Sequence, residues 1–227
     1  MREIILDTET TGLDPSAGHR VVEIGCVELI NLIPTGRVYH QYINPERDMP
    51  TEAFKIHGLS EDFLSKHPTF QDVVLDFLTF LGDDASIVIH NASFDMKFLD
   101  WEMTNTGHGK ISRTRIIDTL EIARKKNPGA RNSLDALCKR YGVNNSHRDY
   151  HGALLDSQLL AEVYLYLKGG RQPTFILEKD TEPGVQALAE SRATDFPYRS
   201  FPPLEQELEE HTKLITTIQQ SKWQQYC

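Results

Sequence analysis

Ile4-Ile5-Leu6-Asp7-Thr8-Glu9-Thr10-Thr11-Gly12 carries the clearest pattern in this sequence. It opens with three large apolar residues, two of them β-branched, which is typical of a buried strand. Residues i and i+2 of a strand lie on the same face of a sheet, so Asp7 and Glu9 project together. Two carboxylates that close repel each other unless a cation lies between them. The stretch therefore predicts a metal site at a strand end, with an exposed acidic pair before a Thr-Gly turn as the alternative.

The nature of the metal follows from the ligands. Carboxylate oxygens with no Cys or His in the stretch favour Mg²⁺ or Mn²⁺ over zinc. The three cysteines, Cys26, Cys138 and Cys227, are scattered without CxxC spacing. This spacing argues against a zinc site and against a disulfide framework, and it fits a reducing cytoplasm. No membrane-spanning stretch or signal peptide is predicted, so we expect a cytoplasmic protein.

Length and charge limit the class of protein. The chain has 227 residues, 39% of them hydrophobic, and a formal net charge of −9. This length is enough to bury a full core and predicts one domain plus a tail. A protein that held DNA by charge alone would be basic. Any contact with nucleic acid is therefore expected to be local, metal-assisted or delivered by a partner protein.

Hydrophobic periodicity predicts an α/β fold with a mixed sheet. Short links with Gly and Pro join the first three strands, which indicates an antiparallel meander. Helices and short strands alternate after the meander. The predicted strands are 4–6, 21–30, 38–43, 87–89 and 115–117. The predicted helices are 51–58, 69–81, 93–105, 118–126, 133–141 and 153–167.

The helical pattern ends at Gly169-Gly170, and this break divides the chain. Residues 1–168 are predicted to form the folded domain. Residues 169–203 contain five prolines and little periodicity, which predicts a flexible linker. Residues 204–227 resume as an apolar-striped helix that would be marginal alone in water. We expect this helical tail either to pack on its own domain or to dock on another protein.

Two further acidic motifs open predicted helices. Asp95 follows His90-Asn91-Ala92-Ser93-Phe94 and lies in a first helical turn, where the helix dipole stabilises negative charge. Asp156 lies near the start of the last domain helix, shortly after His151. Taken singly, the motif at Asp95 is explained by an ordinary helix-start acid, and a lone loop histidine such as His151 is usually an inert surface residue.

Taken together, three motifs resemble the DEDDh exonucleases of the ribonuclease-H-like superfamily. They are Asp7-x-Glu9, His90-Asn91-x-x-Phe94-Asp95 and His151-x-Ala153-x-x-Asp156. Their order and spacing agree with the family over about residues 1–168. The resemblance implies a ribonuclease-H-like fold, with a mixed central sheet and a three-stranded meander flanked by helices. It also implies a 3′–5′ exonuclease that hydrolyses the terminal phosphodiester and releases nucleoside monophosphates.

Within that family, the chain is most similar to members that proofread for the bacterial replicative DNA polymerase. This similarity rests on three stretches, together with the linker and tail: residues 7–12, Ile56-His57-Gly58-Leu59 and residues 151–156. It implies a single-stranded DNA 3′ end as substrate and a polymerase catalytic subunit bound through residues 204–227. The alternatives are a stand-alone DEDDh exoribonuclease that trims RNA 3′ ends and a non-catalytic adaptor that kept the fold.

The resemblance also implies roles for the motif residues. His151 would take the proton from the attacking water, and His90 is a rival for that role. A histidine, whose ordinary pKa is about 6.5, suits a general base near neutral pH. Two Mg²⁺ ions, which Mn²⁺ can replace, would be held by Asp7, Glu9, Asp95 and Asp156.

Further residues are expected to contact the substrate or a partner. Phe94 is one candidate for the terminal base, although helical spacing with Phe98 equally predicts a core position. Asp118 lies outside the three motifs and is predicted to be a helix N-cap. Residues 172–177 resemble short peptides that bind the sliding clamp, so a clamp contact is predicted there. The expected substrate contacts are Asp7, Glu9, Thr10, Thr11, Leu13, His57, Phe94 and Asp156.

Overall fold

The computed structural model describes residues 1–145, 150–169 and 204–217. The strands are β1 (Arg2–Thr10), β2 (Val21–Ile30), β3 (Ile33–Tyr42), β4 (Ser86–Ile89) and β5 (Ile116–Asp118). The helices are α1 (Thr51–His57), α2 (Glu61–Leu64), α3 (Phe70–Leu81), α4 (Ala92–Asn105), α5 (Thr119–Lys126), α6 (Leu134–Tyr141), α7 (Ala153–Leu167) and α8 (Glu205–Thr217). Short 3₁₀ turns occur at Pro15–Ala17 and Arg113–Arg115.

The five strands form one mixed sheet in the order β3-β2-β1-β4-β5. The pairs β1–β2 and β2–β3 are antiparallel, whereas β1–β4 and β4–β5 are parallel. The predicted α/β class, mixed sheet and antiparallel meander are therefore confirmed. β1 lies at the centre of the sheet, which places the first acidic motif in the middle of the fold.

Alternation along β1 assigns its side chains to two different cores. Ile4 and Leu6 pack with Phe77 of α3 and residues of α4 on one face. Ile5 packs with Tyr164 of α7 on the other face. Because side chains alternate along a strand, Asp7 and Glu9 continue the Ile5 face, where α7 lies.

Two strands are longer than the sequence pattern predicts. β1 starts at Arg2 and includes Glu3, a charged residue that would ordinarily lie outside a buried strand. Glu3 is buried because the hydroxyl of Tyr164 donates a hydrogen bond to its carboxylate at 2.8 Å. β3 starts at Ile33 rather than at residue 38, although it includes Pro34 and Gly36. It is the last strand in the order on its side of the sheet, a place where proline is tolerated.

Most predicted helices agree with the structure to within one or two residues, and α7 agrees at both ends. The one helix missed is α2, a single turn that Ser60 caps by accepting a hydrogen bond from the Phe63 N–H. One turn is too short to show a helical period, which explains the omission. Gly58, with φ +71°, ends α1 as predicted.

The chain divides into two compact units, 1–173 and 174–227. The predicted domain 1–168 falls within the first unit. Only Gly169 of the predicted linker is described, and residues 172–177 lie outside the described residues. In the predicted tail, residues 205–217 form α8, on which Leu208 and Leu214 are exposed. Among the described residues, no helix has the length and apolar character needed to cross a membrane.

Candidate active site

All four predicted carboxylates and His151 line one cleft of about 360 Å³. The cleft lies where β1 and β4 end and α4 and α7 begin. His90, Phe94 and Leu134 complete much of its wall. The structure therefore brings together residues that are up to 149 positions apart in the sequence, from Asp7 to Asp156.

The close approach of α7 to β2 places Asp156 in the cleft, and Gly25 makes that approach possible. A Cβ atom on Gly25 would lie 2.2 Å from the carbonyl carbon of Ala153 and from the nitrogen of Leu154. The Ser157 hydroxyl donates a 2.8 Å hydrogen bond to the Gly25 carbonyl oxygen. Gly25 is also the β2 residue paired with Asp7. The first turns of α7 are therefore held directly beside Asp7.

The loop that carries His151 rests on the end of α1. The His151 backbone N–H donates a 3.0 Å hydrogen bond to the Ile56 carbonyl oxygen. The Tyr150 ring lies against Gly58, 3.1 Å from where a Cβ would stand. The His151 side chain is 47% exposed, and its Nδ1 lies 3.4 Å from Oδ2 of Asp156. The imidazole is thus accessible from the cleft while its backbone is fixed.

Asp95 is buried and is oriented by the central strand. Its Oδ1 accepts hydrogen bonds from the Thr8 hydroxyl at 2.7 Å and from the Thr8 N–H at 3.1 Å. Burial raises the pKa of Asp95 to about 7, and the hydrogen bonds from Thr8 oppose that rise. A buried carboxylate of this kind is charged at neutral pH when a cation compensates it.

The donor set fits a hard divalent cation. The four cleft carboxylates are acceptor-only oxygen ligands, the kind that Mg²⁺ and Mn²⁺ prefer. Ligand atoms of Glu9, His151 and Asp156 all lie within 4.8 Å of one another. Glu23, the buried acid opposite Glu9 on β2, is instead paired with His40 at 2.7 Å. Four carboxylates gathered in one cleft are therefore a donor set that suits a divalent cation.

A second cavity, of about 500 Å³, adjoins the cleft and is called here the terminal-nucleotide cavity. It shares Glu9 and Phe94 with the cleft. The α1 residues Ala53 and Ile56 form part of its wall. Phe94 both lines this cavity and packs on Phe98 at 5.3 Å, so the two explanations of its spacing both apply. The predicted substrate contacts found in its lining are Glu9, Thr10, Thr11, Leu13, His57 and Phe94.

His57 is buried in the wall of the terminal-nucleotide cavity and is held as a neutral ring. The Leu59 N–H donates a 3.0 Å hydrogen bond to its Nδ1, so the neutral ring carries its proton on Nε2. Nε2 is buried and makes no hydrogen bond of good geometry with the described residues, although the Thr10 backbone lies close enough to favour the charged ring. An unsatisfied buried donor costs free energy that a ligand with an acceptor atom recovers.

The ionisation of His57 predicts acid sensitivity of the fold. Its pKa is lowered to about 4: burial is the largest cause, the Thr10 backbone opposes the shift, and the charge of the nearby His151 adds to it. An unfolded histidine has a pKa of about 6.5, so only the unfolded state binds this proton between these values. We expect the contribution of His57 to the free energy of unfolding to fall by roughly 3 kcal/mol from pH 7 to pH 4.

Denaturant unfolding of metal-free protein between pH 7 and pH 4 measures this effect. His57→Gln is expected to flatten the decline, while His108→Gln, at a histidine outside both cavities, is expected to retain it. Equal slopes for His57→Gln and the wild type would contradict the assignment.

Asp118 caps two helices, one more than predicted. As predicted, its carboxylate accepts a hydrogen bond from the Leu120 N–H at the start of α5, at 2.8 Å. It also accepts bonds from the Asn91 and Ala92 N–H groups, both at 3.1 Å, at the start of α4. Asn91 has a φ of +63°, a conformation that few residues other than glycine adopt. Asp118 therefore helps to fix the helix start from which Asp95 projects.

We expect Asp118→Ala to lower the free energy of unfolding by roughly 2 kcal/mol, since each lost helix cap costs about 1 kcal/mol. We also expect Mg²⁺ binding to the cleft to weaken, because Asp95 loses its support. Asp72→Ala is the matched control, since Asp72 caps only α3 through Thr69. Asp118→Ala without any change in Mg²⁺ binding would limit Asp118 to a role in stability.

The rival base His90 also lines the cleft. Its Nδ1 lies 2.9 Å from the Thr119 hydroxyl. Burial lowers the pKa of His90, which weakens it as a proton acceptor near neutral pH. His151, which is more exposed, is the better placed of the two.

The sequence matches known exonucleases over most of its length. The family model described as Exonuclease matches residues 4–164. The DNA polymerase III subunit epsilon of Rickettsia felis is 48% identical over 223 residues, covering 96% of this chain and 97% of that protein. The chain belongs to the DNA polymerase III epsilon-subunit family of exonucleases. The Escherichia coli relative of the same name is 45% identical over 190 residues, covering 80% of this chain and 77% of that protein.

Solved structures agree with this family assignment. Exonuclease X in complex with 5′ overhanging duplex DNA has a TM-score of 0.59 and 26% identity, covering 74% of this chain and 91% of that chain. The nuclease domain of 3′hExo, a DEDDh family member bound to rAMP, has a TM-score of 0.64. It is 20% identical and covers 74% of this chain and 92% of that chain, so it shows the fold alone. The expected ribonuclease-H-like fold and exonuclease family are confirmed.

Several residues that shape the site carried no signal by which sequence reasoning could find them. Gly25 lies inside a strand, where a glycine indicates that another backbone segment approaches closely. The residues around Gly25 do not indicate that this segment is the start of α7. Thr8 and Ser157 are ordinary strand and helix residues until the fold brings Asp95 and Gly25 to them. Ile56 lies within the stretch 56–59, but nothing in that stretch indicates a hydrogen bond to His151.

Proposed function

We propose that this chain is the proofreading 3′–5′ exonuclease of a bacterial replicative DNA polymerase. It removes the terminal nucleotide of a DNA 3′ end by hydrolysis and releases a nucleoside monophosphate. The observation that carries the proposal is the cleft that joins four carboxylates and His151, next to a cavity able to take a nucleotide. The identity to epsilon subunits over most of the chain favours this function over RNA trimming.

Two Mg²⁺ ions, replaceable by Mn²⁺, are proposed to bind Asp7, Glu9, Asp95 and Asp156. Bound there, they would neutralise the scissile phosphate and acidify the attacking water. This ligand role fits the burial of Asp95 and Asp156 and the shared face of Asp7 and Glu9.

His151 is proposed to accept the proton of the attacking water. Its Nδ1 faces Asp156 at 3.4 Å, so we assign the proton transfer to Nε2. Asp156 then acts twice, as a metal ligand and as the group that orients the imidazole. The hydrogen bond from the His151 N–H to the Ile56 carbonyl supports this role by holding the backbone of the loop beside the cleft.

The terminal nucleotide is proposed to occupy the terminal-nucleotide cavity. Leu13 and Phe94 offer apolar surface to the base, and the buried Nε2–H of His57 offers a hydrogen-bond donor. The cavity adjoins the carboxylates through Glu9, so a nucleoside there places its 5′ phosphate in the cleft. Thr10 and Thr11 continue the wall from β1 into the following loop.

We propose that residues 169–203 form a linker and that residues 204–227 form a tail that binds the polymerase. Within the linker, residues 172–177 are proposed to bind the sliding clamp. The exposed Leu208 and Leu214 on α8 support a docking role. The excess of acidic residues supports dependence on partners, since a net charge of −9 disfavours long-lived contact with DNA. We place this complex in the cytoplasm, at the replication fork.

The deciding experiment measures 3′-end degradation of a mispaired and a paired DNA primer, with and without the polymerase catalytic subunit. The wild type is compared with Asp7→Ala. We expect Mg²⁺-dependent removal of the mispaired end that is enhanced by the polymerase and lost in Asp7→Ala. Faster degradation of an RNA oligomer of the same sequence, indifferent to the polymerase, would support the RNA-trimming alternative.

The partner segments need their own tests. Deletion of residues 204–227 is expected to abolish enhancement by the polymerase while basal hydrolysis of single-stranded DNA persists. Combined Gln172→Ala and Phe175→Ala is expected to weaken binding to the sliding clamp. Unchanged clamp binding in that double variant would remove the clamp proposal alone.

A further inference from the structure

A polar cavity of about 720 Å³ lies beside the active-site cleft, between α5 and the loop that leads into α6. We call it the α5–α6 cavity. Its volume falls within the roughly 300–1,000 Å³ of small-molecule sites. His90, Asn91 and Leu134 line both this cavity and the cleft, so the two spaces share a wall.

The terminal-nucleotide cavity adjoins the cleft through different residues, Glu9 and Phe94. It has no lining residue in common with the α5–α6 cavity. A strand with its last nucleotide in the terminal-nucleotide cavity and its last phosphodiester among the carboxylates has to leave the cleft elsewhere. The α5–α6 cavity adjoins the cleft through such a separate wall.

The α5–α6 cavity also carries positive charge. Arg124 lines it from the last turn of α5 and is exposed. Within the described ranges, its guanidinium makes no ion pair with a carboxylate. Arg124 and His90 line the same cavity, so the guanidinium lies on the side of the shared wall. The pKa of His90 is lowered mainly by burial; the Asp118 carboxylate and the Asn132 backbone raise it, and the charge of Arg124 lowers it by a smaller amount. A cation next to a cleft of four carboxylates is placed to hold an anionic strand there.

The opposite wall of the α5–α6 cavity is held in a fixed shape. The Asn132 side-chain amide donates hydrogen bonds to the Ala130 carbonyl at 3.0 Å and to the Asn127 carbonyl at 3.3 Å. Its oxygen lies 3.4 Å from the Arg140 guanidinium of α6. A loop braced at both ends is preorganised and loses little conformational freedom when a ligand binds.

We propose that the α5–α6 cavity is the subsite for the penultimate nucleotide, with Arg124 bound to the phosphate on its 5′ side. This nucleotide is the one whose 3′ oxygen leaves when the terminal phosphodiester is cleaved. The inference rests on the proposed exonuclease function and extends the substrate by one nucleotide. It makes Arg124 a binding residue for the strand that remains, not for the nucleotide that is released.

The test compares two substrates that differ in this nucleotide. The p-nitrophenyl ester of thymidine 5′-monophosphate has only the terminal nucleotide, whereas a single-stranded DNA trinucleotide also fills the α5–α6 cavity. Arg124→Gln in the full chain is compared with Lys125→Gln, which removes the same charge from the next residue of α5, outside the cavity lining.

For Arg124→Gln we expect KM for the trinucleotide to rise roughly three- to tenfold with little change in kcat. The slope of log kcat/KM against log salt concentration should become shallower by about 0.7, the value for one phosphate contact on a single strand. Hydrolysis of the p-nitrophenyl ester should stay at the wild-type rate. Lys125→Gln should leave the kinetics of both substrates close to wild type.

Three results would overturn the subsite. Equal loss on both substrates would show that Arg124 acts on the cleft itself, for example through His90. An unchanged KM and salt slope would show that Arg124 does not contact the strand, and an equal effect of Lys125→Gln would show only a general charge effect. A wild type that hydrolyses neither substrate with Mg²⁺ or Mn²⁺ would instead overturn the proposed function.

Discussion

Gly25→Ala is expected to lower kcat by roughly 100-fold, the size of effect that follows from a misplacement of about 1 Å in a reacting group. The added Cβ would lie 2.2 Å from the backbone of Ala153 and Leu154, and backbone atoms cannot turn aside as a side chain can. The start of α7 therefore has to move away from β2. Asp156 and the adjacent His151 move with it, so the four carboxylates no longer converge.

Gly109→Ala is the matched control, because a Cβ there meets nothing within 4 Å and its backbone needs no unusual φ. It should retain wild-type activity. Overpacking at Gly25 is expected to cost about 1–3 kcal/mol of stability, so circular dichroism and denaturant unfolding are needed beside the kinetics. Ser157→Ala, which removes only the hydrogen bond to the Gly25 carbonyl, tests the same contact without adding volume. A folded Gly25→Ala protein with wild-type kcat would show that α7 need not lie so close.

His151→Ala is expected to lower kcat by roughly 10²–10⁴-fold, the usual contribution of a positioned general base. The structure adds a rival explanation, because a ring nitrogen of His151 lies within 4.8 Å of ligand atoms of Glu9 and Asp156. A histidine that ligates the metal and one that accepts a proton would both reduce the rate when removed. Binding of Mn²⁺ distinguishes them, and we expect its affinity in His151→Ala to stay near wild type.

His90→Gln is the companion variant, since His90 lines the same cleft. It should retain most of the kcat that His151→Gln loses. The pH dependence of kcat provides an independent readout: we expect the rate of the wild type to rise with pH on the acid side, and we expect this rise to be lost when the base is removed. A large loss of Mn²⁺ affinity in His151→Ala would show that His151 is a metal ligand and not the proton acceptor.

Local patterns were sufficient where the deciding interaction is local. The period-2 pattern of β1 placed Asp7 and Glu9 on one face, and turn and cap residues located the ends of most helices. The sequence predicts Asp118 as an N-cap because the hydrogen bond involved, from the Leu120 N–H, joins residues only two positions apart. Its second set of bonds, to Asn91 and Ala92, joins helix starts that only the fold brings together.

The family resemblance implies that the carboxylates converge, whereas periodicity does not. The structure shows why periodicity is insufficient. The position of Asp156 depends on a contact between Gly25 and Ala153, residues 128 positions apart in the sequence. The orientation of Asp95 depends in the same way on Thr8. No window along the chain contains both members of such a pair. Burial of Glu3, which extends β1, depends likewise on Tyr164.

The hydrogen bond from the His151 N–H to the Ile56 carbonyl oxygen links the loop that carries His151 to helix α1. Ile56 also lines the terminal-nucleotide cavity, so one residue both borders the proposed nucleotide site and holds the loop of the proposed proton acceptor. We expect a displacement of α1 to move His151 as well. Seating of the 3′ end and placement of the proposed base thus depend on the same short helix.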